Sequence, residues 1–343
     1  QRYSDASITA AASAISRFER WNRYRAFKTF HTQQAVAFKN WLADQPGRRP
    51  GTRLSRSTLD STLRALRAFF IWLASQPGYK RAISLRDGDY FNLSRKDANA
   101  ARNVRPKRVP TLEQIHRVLA RMPSTGIVEK RDRALVATAA LTGARVGALR
   151  TLRLKHLDLG ERCLIQDPSD METKFSKLIS TWFFPIGGEA IRILEEWNDI
   201  LQTQLLWGPD DPLFPAPQLE ARLDGGFRTV GLLRLHWKTT GPIRKVFRSA
   251  FADAGLPYAN PHTIRDMLCG LGLRLAGSPE EFKAWSQNLG HDGVLTTLTS
   301  YGELSPDRQA ELMRSMESTQ QTAEPFDIES DLKRLLARVR APR

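Results

Sequence analysis

The positive charge of this chain is concentrated in its first third, and this asymmetry limits what that region can become. The 343 residues carry a net charge of +16, and residues 1–110 hold 22 Lys and Arg against seven Asp and Glu, a net charge of +15. Apolar residues recur there at helical spacing, at Leu59, Leu63, Leu66, Phe70 and Leu73. This period predicts an amphipathic helix over 54–74. A folded helical unit this basic is typical of a surface that binds a polyanion, and nucleic acid is the first candidate, ahead of a solubility surface or a membrane-surface patch.

The rest of the first third also has a helical pattern, and it ends in a linker. The stretch QAVAFKNWL over 34–42 predicts a second helix, separated from 54–74 by the turn-forming basic stretch QPGRRPGTR. Between 92 and 110 the apolar period is lost while basic residues and proline accumulate. We therefore expect an all-helical domain over residues 1–100 and a basic linker over 101–110.

Composition excludes several classes of protein. The chain is 41% hydrophobic and 26% charged, so it can bury cores and is not disordered. No apolar run approaches the ~18 residues of a membrane span, and the first residues show no secretory signal. Cys163 and Cys269 stand far apart and form no CxxC pair, which argues against a disulfide scaffold or a zinc ribbon. These features predict a reducing, cytoplasmic compartment.

Residues 111–343 are nearly neutral and have the pattern of a mixed domain. Thr111 begins T-L-E-Q, a helix-capping box. Helical patterns follow at 112–121, 130–142, 189–206, 242–254, 263–276, 280–289 and 294–300. The stretch 162–185 predicts a small antiparallel hairpin, and 208–241, with its many prolines and glycines, is loop-rich and of unassigned role. After a polar tether, residues 327–340 predict an amphipathic helix.

Three separated motifs place cationic or hydrogen-bonding side chains at predicted helix ends. In TGARVGAL, Arg145 follows a helix-ending glycine and starts the next helix. In PHTIR, the i, i+3 spacing puts His262 and Arg265 on one side of a helix start. LGH ends at His291, and Tyr301 follows ten residues later behind the short helical pattern TTLTS. Each motif alone is a weak signal.

In this order the motifs resemble the tyrosine recombinase, or phage integrase, family, whose motifs read TGxR, HxxR, LGH and then a nucleophilic tyrosine. The last gap is one residue longer here, and the resemblance spans most of the chain. It implies a mainly α fold with a small antiparallel β-sheet. An α+β catalytic domain over 111–316 and an all-helical, SAM-like core-binding domain over 1–100 would clamp DNA between them. Residues 317–343 would form a tether and a helix that docks on a neighbouring protomer or on its own.

The resemblance implies strand cleavage and rejoining through a 3′-phosphotyrosine intermediate and a Holliday junction, with neither metal nor ATP. Arg145 and Arg265 would hold the non-bridging phosphate oxygens, on which negative charge builds up. Tyr301 would attack phosphorus, and it needs help because an unperturbed phenol has a pKa near ~10. His262 would accept its proton, and His291 would donate a hydrogen bond to the phosphate.

A lysine on the predicted hairpin would protonate the departing 5′ oxygen. In TKFSK the Thr-Lys start favours Lys174, and Lys177 remains the alternative. The chain departs from the family at two places. Ala148 stands where an acidic residue is usual, and Asp266 stands where His or Lys is common. We expect an altered rate or altered regulation from these changes.

The implied partner is double-stranded DNA at recombination sites. The expected contacts are Arg56, Arg64, Arg67, Arg105, Lys107 and Arg108. The protein would be a homotetramer on DNA and a monomer or weak oligomer when free, serving DNA integration or transposition of a mobile element in the bacterial cytoplasm. Accessory DNA-bending or directionality proteins are possible partners. The alternatives are type IB topoisomerase-like strand relaxation and a catalytically impaired DNA-binding regulator of the same fold.

Overall fold

The computed structural model describes residues 5–47, 50–93, 108–167, 170, 178–222, 225–291, 293–301 and 309–310, with only the backbone at 5, 6 and 299–301. The chain forms two compact units, residues 1–107 and residues 108–343. Of the predicted linker 101–110, residues 101–107 lie outside the described residues.

The regular structure described in the first unit is helical, apart from an isolated β-bridge between Pro46 and Arg53. Its helices are α1 (Asp5–Trp21), α2 (Thr32–Ala43) and α3 (Arg56–Ala74), with 3₁₀ turns at Phe27–Thr29 and Leu85–Phe91. The two helices predicted from the periodicity are therefore confirmed, and Ser55 begins α3 by accepting a hydrogen bond from the Thr58 backbone N–H.

Aromatic side chains fill the core of this unit. Phe18, Phe38, Phe70 and Phe91 are all fully buried. The Phe18 ring packs edge-to-face against each of the other three rings, with centroids 5.1 to 5.6 Å apart. Edge-to-face pairs of this kind stabilise a core beyond their buried area. The apolar face of α3 packs into this cluster, as its spacing predicted.

The second unit has one large core surrounded by helices. Its helices are α4 (Leu112–Arg121), α5 (Ile127–Thr142), α6 (Val146–Thr151), α7 (Gly188–Asp199), α8 (Gly241–Asp253), α9 (Pro261–Leu275), α10 (Pro279–Asn288) and α11 (Val294–Tyr301). α5 and α9 are buried along most of their lengths, so they form the centre of the unit. α7 continues as a π-helical turn over Ile200–Gln204, which accounts for the longer helix that the sequence predicted.

A small sheet lies beside these helices. Its strands β1 (Leu157–Asp158), β2 (Cys163–Gln166) and β3 (Ile179–Trp182) are antiparallel in the order β1-β2-β3. β2 pairs with β3 from Cys163 opposite Trp182 to Gln166 opposite Ile179. The predicted hairpin and the mainly α fold with a small antiparallel sheet are therefore confirmed. No helix within the described ranges is long and apolar enough to cross a membrane.

The loop-rich stretch 208–241 also contains regular β structure. This stretch contains an antiparallel hairpin of β4 (Pro217–Ala221) and β5 (Phe227–Leu232), which turns at Gly225 and Gly226 with φ of +90° and +83°. Two properties hid it from the sequence pattern. Its residues are mostly exposed, and a bulge at Gln218/Leu219 interrupts the strand period.

Candidate active site

Arg265 is a buried cation at the centre of the site. It lies in the first turns of α9 and is only 5% exposed. Its Nη1 donates to the Gly143 carbonyl oxygen and its Nη2 donates to the Leu289 carbonyl oxygen, both at 2.5 Å. Nη2 also lies 3.1 Å from His291 Nε2. Arg265 therefore joins the TGAR, HTIR and LGH motifs, which are far apart in sequence.

The end of α5 explains how a backbone carbonyl comes to face Arg265. Gly143 ends this helix in the left-handed conformation, with φ of +59°, and its N–H donates to the Ala139 carbonyl. A Cβ at this position would lie 3.0 Å from Leu268 Cδ1 and 3.1 Å from Leu289 Cδ2. The left-handed backbone therefore favours glycine here, and a larger residue would also have to displace the ends of these two leucine side chains.

Arg145 brings a second positive charge to the same place. It is the N-cap residue of α6 and its side chain is half-buried. Burial is the main cause that lowers the pKa of Arg265 to about 10, and the nearby charge of Arg145 lowers it further. Arg265 is still protonated at neutral pH. Two neighbouring guanidinium groups, one of them buried, make a site suited to a bound anion.

His291 is held between Arg265 and the nearby helix α11. Its backbone N–H donates to the Ser286 carbonyl, and Gly290 before it has φ of +64°. Its Nδ1 lies 2.8 Å from Thr297 Oγ1. The imidazole is therefore fixed at both nitrogens, with Nε2 directed at Arg265.

His262 lies one turn before Arg265 on α9, and its side chain is exposed. The helix begins there because Asn260 caps it, accepting a hydrogen bond from the His262 backbone N–H at 3.0 Å, and Pro261 follows at the first helical position. His262 and Arg265 both lie in the first turns of α9, and their placement on one side of the helix remains a prediction. Their roles remain predictions.

The nucleophile and the general acid fall at the edge of what is described. Tyr301 is the last residue of α11, and its side chain lies outside the described part. Lys174 and Lys177 both lie outside the described residues. Asp170, four residues before Lys174, pairs with Lys155 Nζ at 2.7 Å. The described part of the β2–β3 connection is thus tied to the segment before β1.

The two departures from the family pattern are both buried. Ala148, on α6, is 3% exposed and packs in the main core, so the site lacks a carboxylate at that position. Asp266 is 5% exposed and lines a cavity of about 400 Å³ with Arg274 and Thr111. The Asp266 carboxylate raises the pKa of Arg265 and so offsets part of the decrease that burial and Arg145 cause.

The predicted DNA contacts of the first unit are partly engaged within the protein. Arg64 pairs with Asp60 one turn away on α3, and Arg67 pairs with Asp89 at 2.8 Å. Arg56 is exposed at the first turn of α3. Arg108 is exposed, whereas Arg105 and Lys107 lie outside the described residues.

Sequence reasoning missed a cationic face on α8. Arg244, Lys245 and Arg248 are exposed on this helix, and Lys238 is exposed just before it. The Arg248 guanidinium lies over the Tyr258 ring at 5.2 Å. The signal was the spacing IRKVFR, in which cations alternate with the buried Ile243 and Phe247. Within the described residues, no three His, Cys, Asp or Glu side chains lie together as metal ligands would.

Comparison with known proteins identifies the fold. No family model and no curated protein matches this sequence. Among solved structures, XerH site-specific recombinase bound to a palindromic difH substrate is similar with a TM-score of 0.62 and 16% identity, over 91% of this chain and 80% of that chain. A lambda integrase(75-356) dimer bound to a COC′ core site has a TM-score of 0.58 and 14% identity, over 89% and 93%. The Tn1549 transposon integrase bound to transposon right end DNA has a TM-score of 0.56 and 16% identity, over 92% and 95%. At these identities the likeness is one of fold, and this chain has the fold of the tyrosine recombinases.

Proposed function

We propose that this protein is a site-specific DNA recombinase that cleaves and rejoins strands through a tyrosine-linked intermediate. The observation that carries the proposal is the buried guanidinium of Arg265, which lies beside Arg145 and is hydrogen-bonded to two carbonyl oxygens and an imidazole. A buried charge is costly unless it is paired. A phosphodiester group would bring a negative charge to this pair of cations.

In the proposed reaction, Tyr301 Oη forms a bond to the scissile phosphorus while the bond from phosphorus to the 5′ oxygen breaks. Arg145 and Arg265 hold the non-bridging oxygens as charge builds up on them. His262 takes the phenol proton, and His291 donates to a phosphate oxygen once its Nε2 carries a proton. Attack by a 5′-hydroxyl on the phosphotyrosine reverses the step, so rejoining consumes no ATP.

Lys174 is the proposed general acid, with Lys177 as the alternative. It gives a proton to the departing 5′ oxygen, which would otherwise leave as an unstable alkoxide. Each lysine can be tested with DNA that carries a 5′-bridging sulfur, because a thiolate leaves without protonation. Replacing the true general acid with Met slows cleavage of ordinary DNA far more than cleavage of the sulfur substrate.

DNA binding is proposed to use the basic face of the first unit and the cationic face of α8, together with the expected contacts at Arg105, Lys107 and Arg108. Exposed Arg and Lys side chains give salt-dependent affinity for phosphates. In the bacterial cytoplasm, accessory DNA-bending or directionality proteins would add to the selection of sites for integration or transposition.

The active assembly is proposed to be a homotetramer on two duplexes that passes through a Holliday junction, formed from free monomers or weak oligomers. One similar structure is a lambda integrase tetramer bound to a Holliday junction, with a TM-score of 0.52 and 14% identity. Residues 327–340 are proposed to dock on a neighbouring protomer. Truncation after Thr322 should then weaken synapsis and spare single-site cleavage, whereas unchanged stoichiometry on DNA contradicts docking between protomers.

The test is covalent trapping on nicked duplexes whose sequence is randomised on both sides of the nick. Cleavage near the nick releases a short strand and leaves the protein attached to DNA, so the adduct survives denaturation. We expect adduct in EDTA with the unaltered protein and none with Tyr301→Phe. Sequencing the captured DNA then gives the site.

The outcomes separate the alternatives. DNA binding without adduct contradicts the recombinase and supports the regulator, and Ala148 and Asp266 are then the first positions to revert. An adduct that persists in Tyr301→Phe contradicts the assigned nucleophile. Relaxation of supercoiled DNA without exchange between two duplexes supports topoisomerase-like activity.

A further inference from the structure

A buried hydroxyl of α11, the helix that ends at Tyr301, contacts the site. Thr297 is fully buried, one turn before Tyr301. Its Oγ1 lies 2.8 Å from His291 Nδ1 and donates to Ser286 Oγ at 2.7 Å. A buried polar group of this kind is stable only when its hydrogen bonds are made. Thr297 therefore has a defined partner on each side.

These contacts fix the tautomer of His291. A hydroxyl carries one proton, and that of Thr297 goes to Ser286, so Thr297 must accept a hydrogen bond from His291 Nδ1–H. In the neutral ring the lone pair is then on Nε2, where Arg265 Nη2 donates to it at 3.1 Å. The opposite tautomer would place two N–H donors against each other.

The result is a continuous chain of hydrogen bonds through three helices. It begins at Ser286 on α10, which is 1% exposed, and passes through Thr297 on α11 to His291. It ends at Arg265 on α9. A hydrogen-bond partner on one ring nitrogen commonly sets the orientation of a functional histidine and decides which nitrogen carries the proton.

We propose that Thr297 is a positioning residue that couples the nucleophile helix to the phosphate-binding pair His291 and Arg265, an inference that rests on the proposed function. It accepts from Nδ1–H in both charge states of the ring. His291 can therefore take a proton on Nε2 and donate it to a phosphate oxygen without losing its anchor. The hydrogen bond between Thr297 and His291 also fixes the position of α11, and therefore of Tyr301 at its end, relative to the site.

The chain offers matched variants for the test. Thr297→Val keeps the shape and removes the hydroxyl, and Thr297→Ser keeps the hydroxyl. Thr296→Val makes the same change on the exposed side of α11. Ser286→Ala frees the Thr297 proton to turn toward His291. Thermal melting confirms that each variant is folded before the other measurements.

The first measurement is the nitrogen NMR spectrum of histidine-labelled full-length protein without DNA, with His291 assigned by His291→Gln. We expect a protonated Nδ1 in the unaltered protein and in Thr297→Ser. We expect Ser286→Ala to shift the ring toward the Nε2–H tautomer, and Thr297→Val to remove the preference for Nδ1–H. An Nε2–H ring in the unaltered protein overturns the proposal.

The second measurement is the rate of adduct formation on captured nicked DNA. Thr297→Val should slow it by about tenfold or more, since small displacements of reacting groups have effects of this size. Thr297→Ser and Thr296→Val should stay close to the unaltered rate. An unchanged rate in Thr297→Val overturns the coupling. If the unaltered protein forms no adduct, the proposed function fails, and the spectrum separately decides whether Thr297 fixes the ring.

Discussion

Two arginines are buried in the described part of the second unit, and their surroundings differ. Arg131, 3% exposed, binds the Asp132 carboxylate through Nε and Nη2 at 2.9 and 2.7 Å, and donates to the Pro215 carbonyl. Its guanidinium lies over the Trp237 ring at 4.8 Å. Arg265, 5% exposed, is hydrogen-bonded to two carbonyls and an imidazole, with Arg145 nearby.

The difference separates a structural cation from a binding one. Arg131 has a carboxylate and an aromatic face, so its charge is compensated within the fold. Arg265 is oriented by carbonyl oxygens. Burial lowers its pKa to about 10, so its protonated form is less stable than that of an exposed arginine. In the proposed function, binding of a phosphate would stabilise the protonated form of Arg265. Substitution of either arginine tests this difference.

The largest effect is expected from Arg265→Met. We expect adduct formation to fall by about 10³-fold, the upper range for loss of one oxyanion donor. The free energy of unfolding should change by less than about 1 kcal/mol, because relief of the buried charge offsets the lost carbonyl hydrogen bonds. Trapping rates and urea melts measure the two quantities. A large loss of stability would show that Arg265 is a structural cation like Arg131.

Arg131→Met should give the opposite result. Removing Arg131 leaves the partly buried Asp132 carboxylate uncompensated, and we expect the free energy of unfolding to fall by up to about 3 kcal/mol. At a temperature where the variant is folded, adduct formation should stay within a few-fold of the unaltered rate. Loss of cleavage without loss of stability in Arg131→Met would contradict the structural role given to Arg131.

Gly143→Ala should disturb the carbonyl that orients Arg265. The left-handed backbone and the contacts with Leu268 and Leu289 predict a loss of about 1–2 kcal/mol in unfolding free energy and slower adduct formation. Gly188→Ala is the matched control, because a Cβ there meets nothing within 4 Å. Equal effects of the two changes would show that the Gly143 backbone has no special role.

The smallest effect concerns the cations of α8. If Arg244 and Lys245 contact phosphates, replacing both with Gln should reduce the slope of log affinity against log salt by about 1.8, at about 0.9 for each contact. Arg228→Gln is the control, because Arg228 pairs with Glu220 on the β4–β5 hairpin. A change in slope with Arg228→Gln alone would assign DNA binding to the hairpin.

Much of the fold could be predicted because it follows local rules. The helix period, the capping box at Thr111 and the stop at Gly143 predicted α4 and the end of α5, and the apolar spacing predicted α3. The β4–β5 hairpin could not be predicted, since its strands are mostly exposed and carry a bulge.

The site was predictable only in part. The motif order named Arg145, Arg265 and His291, and the structure joins Arg265 to Gly143, Leu289 and His291. Thr297 could not be distinguished from the other threonines of TTLTS, because only packing decides which hydroxyl is buried. The pairing of Arg67 with Asp89 was hidden for the same reason, since the two residues are joined only by the fold.

The central claim is that Arg265 acts by pairing its positive charge with a negatively charged phosphate oxygen. A substrate with a neutral phosphate tests this most directly. A methylphosphonate at the scissile position replaces a charged oxygen with a methyl group. Adduct formation would be compared for the unaltered protein and Arg265→Met on the ordinary and the methylphosphonate DNA. We predict that the large penalty of Arg265→Met on ordinary DNA shrinks strongly on the methylphosphonate. An equal penalty on both substrates would contradict the claim.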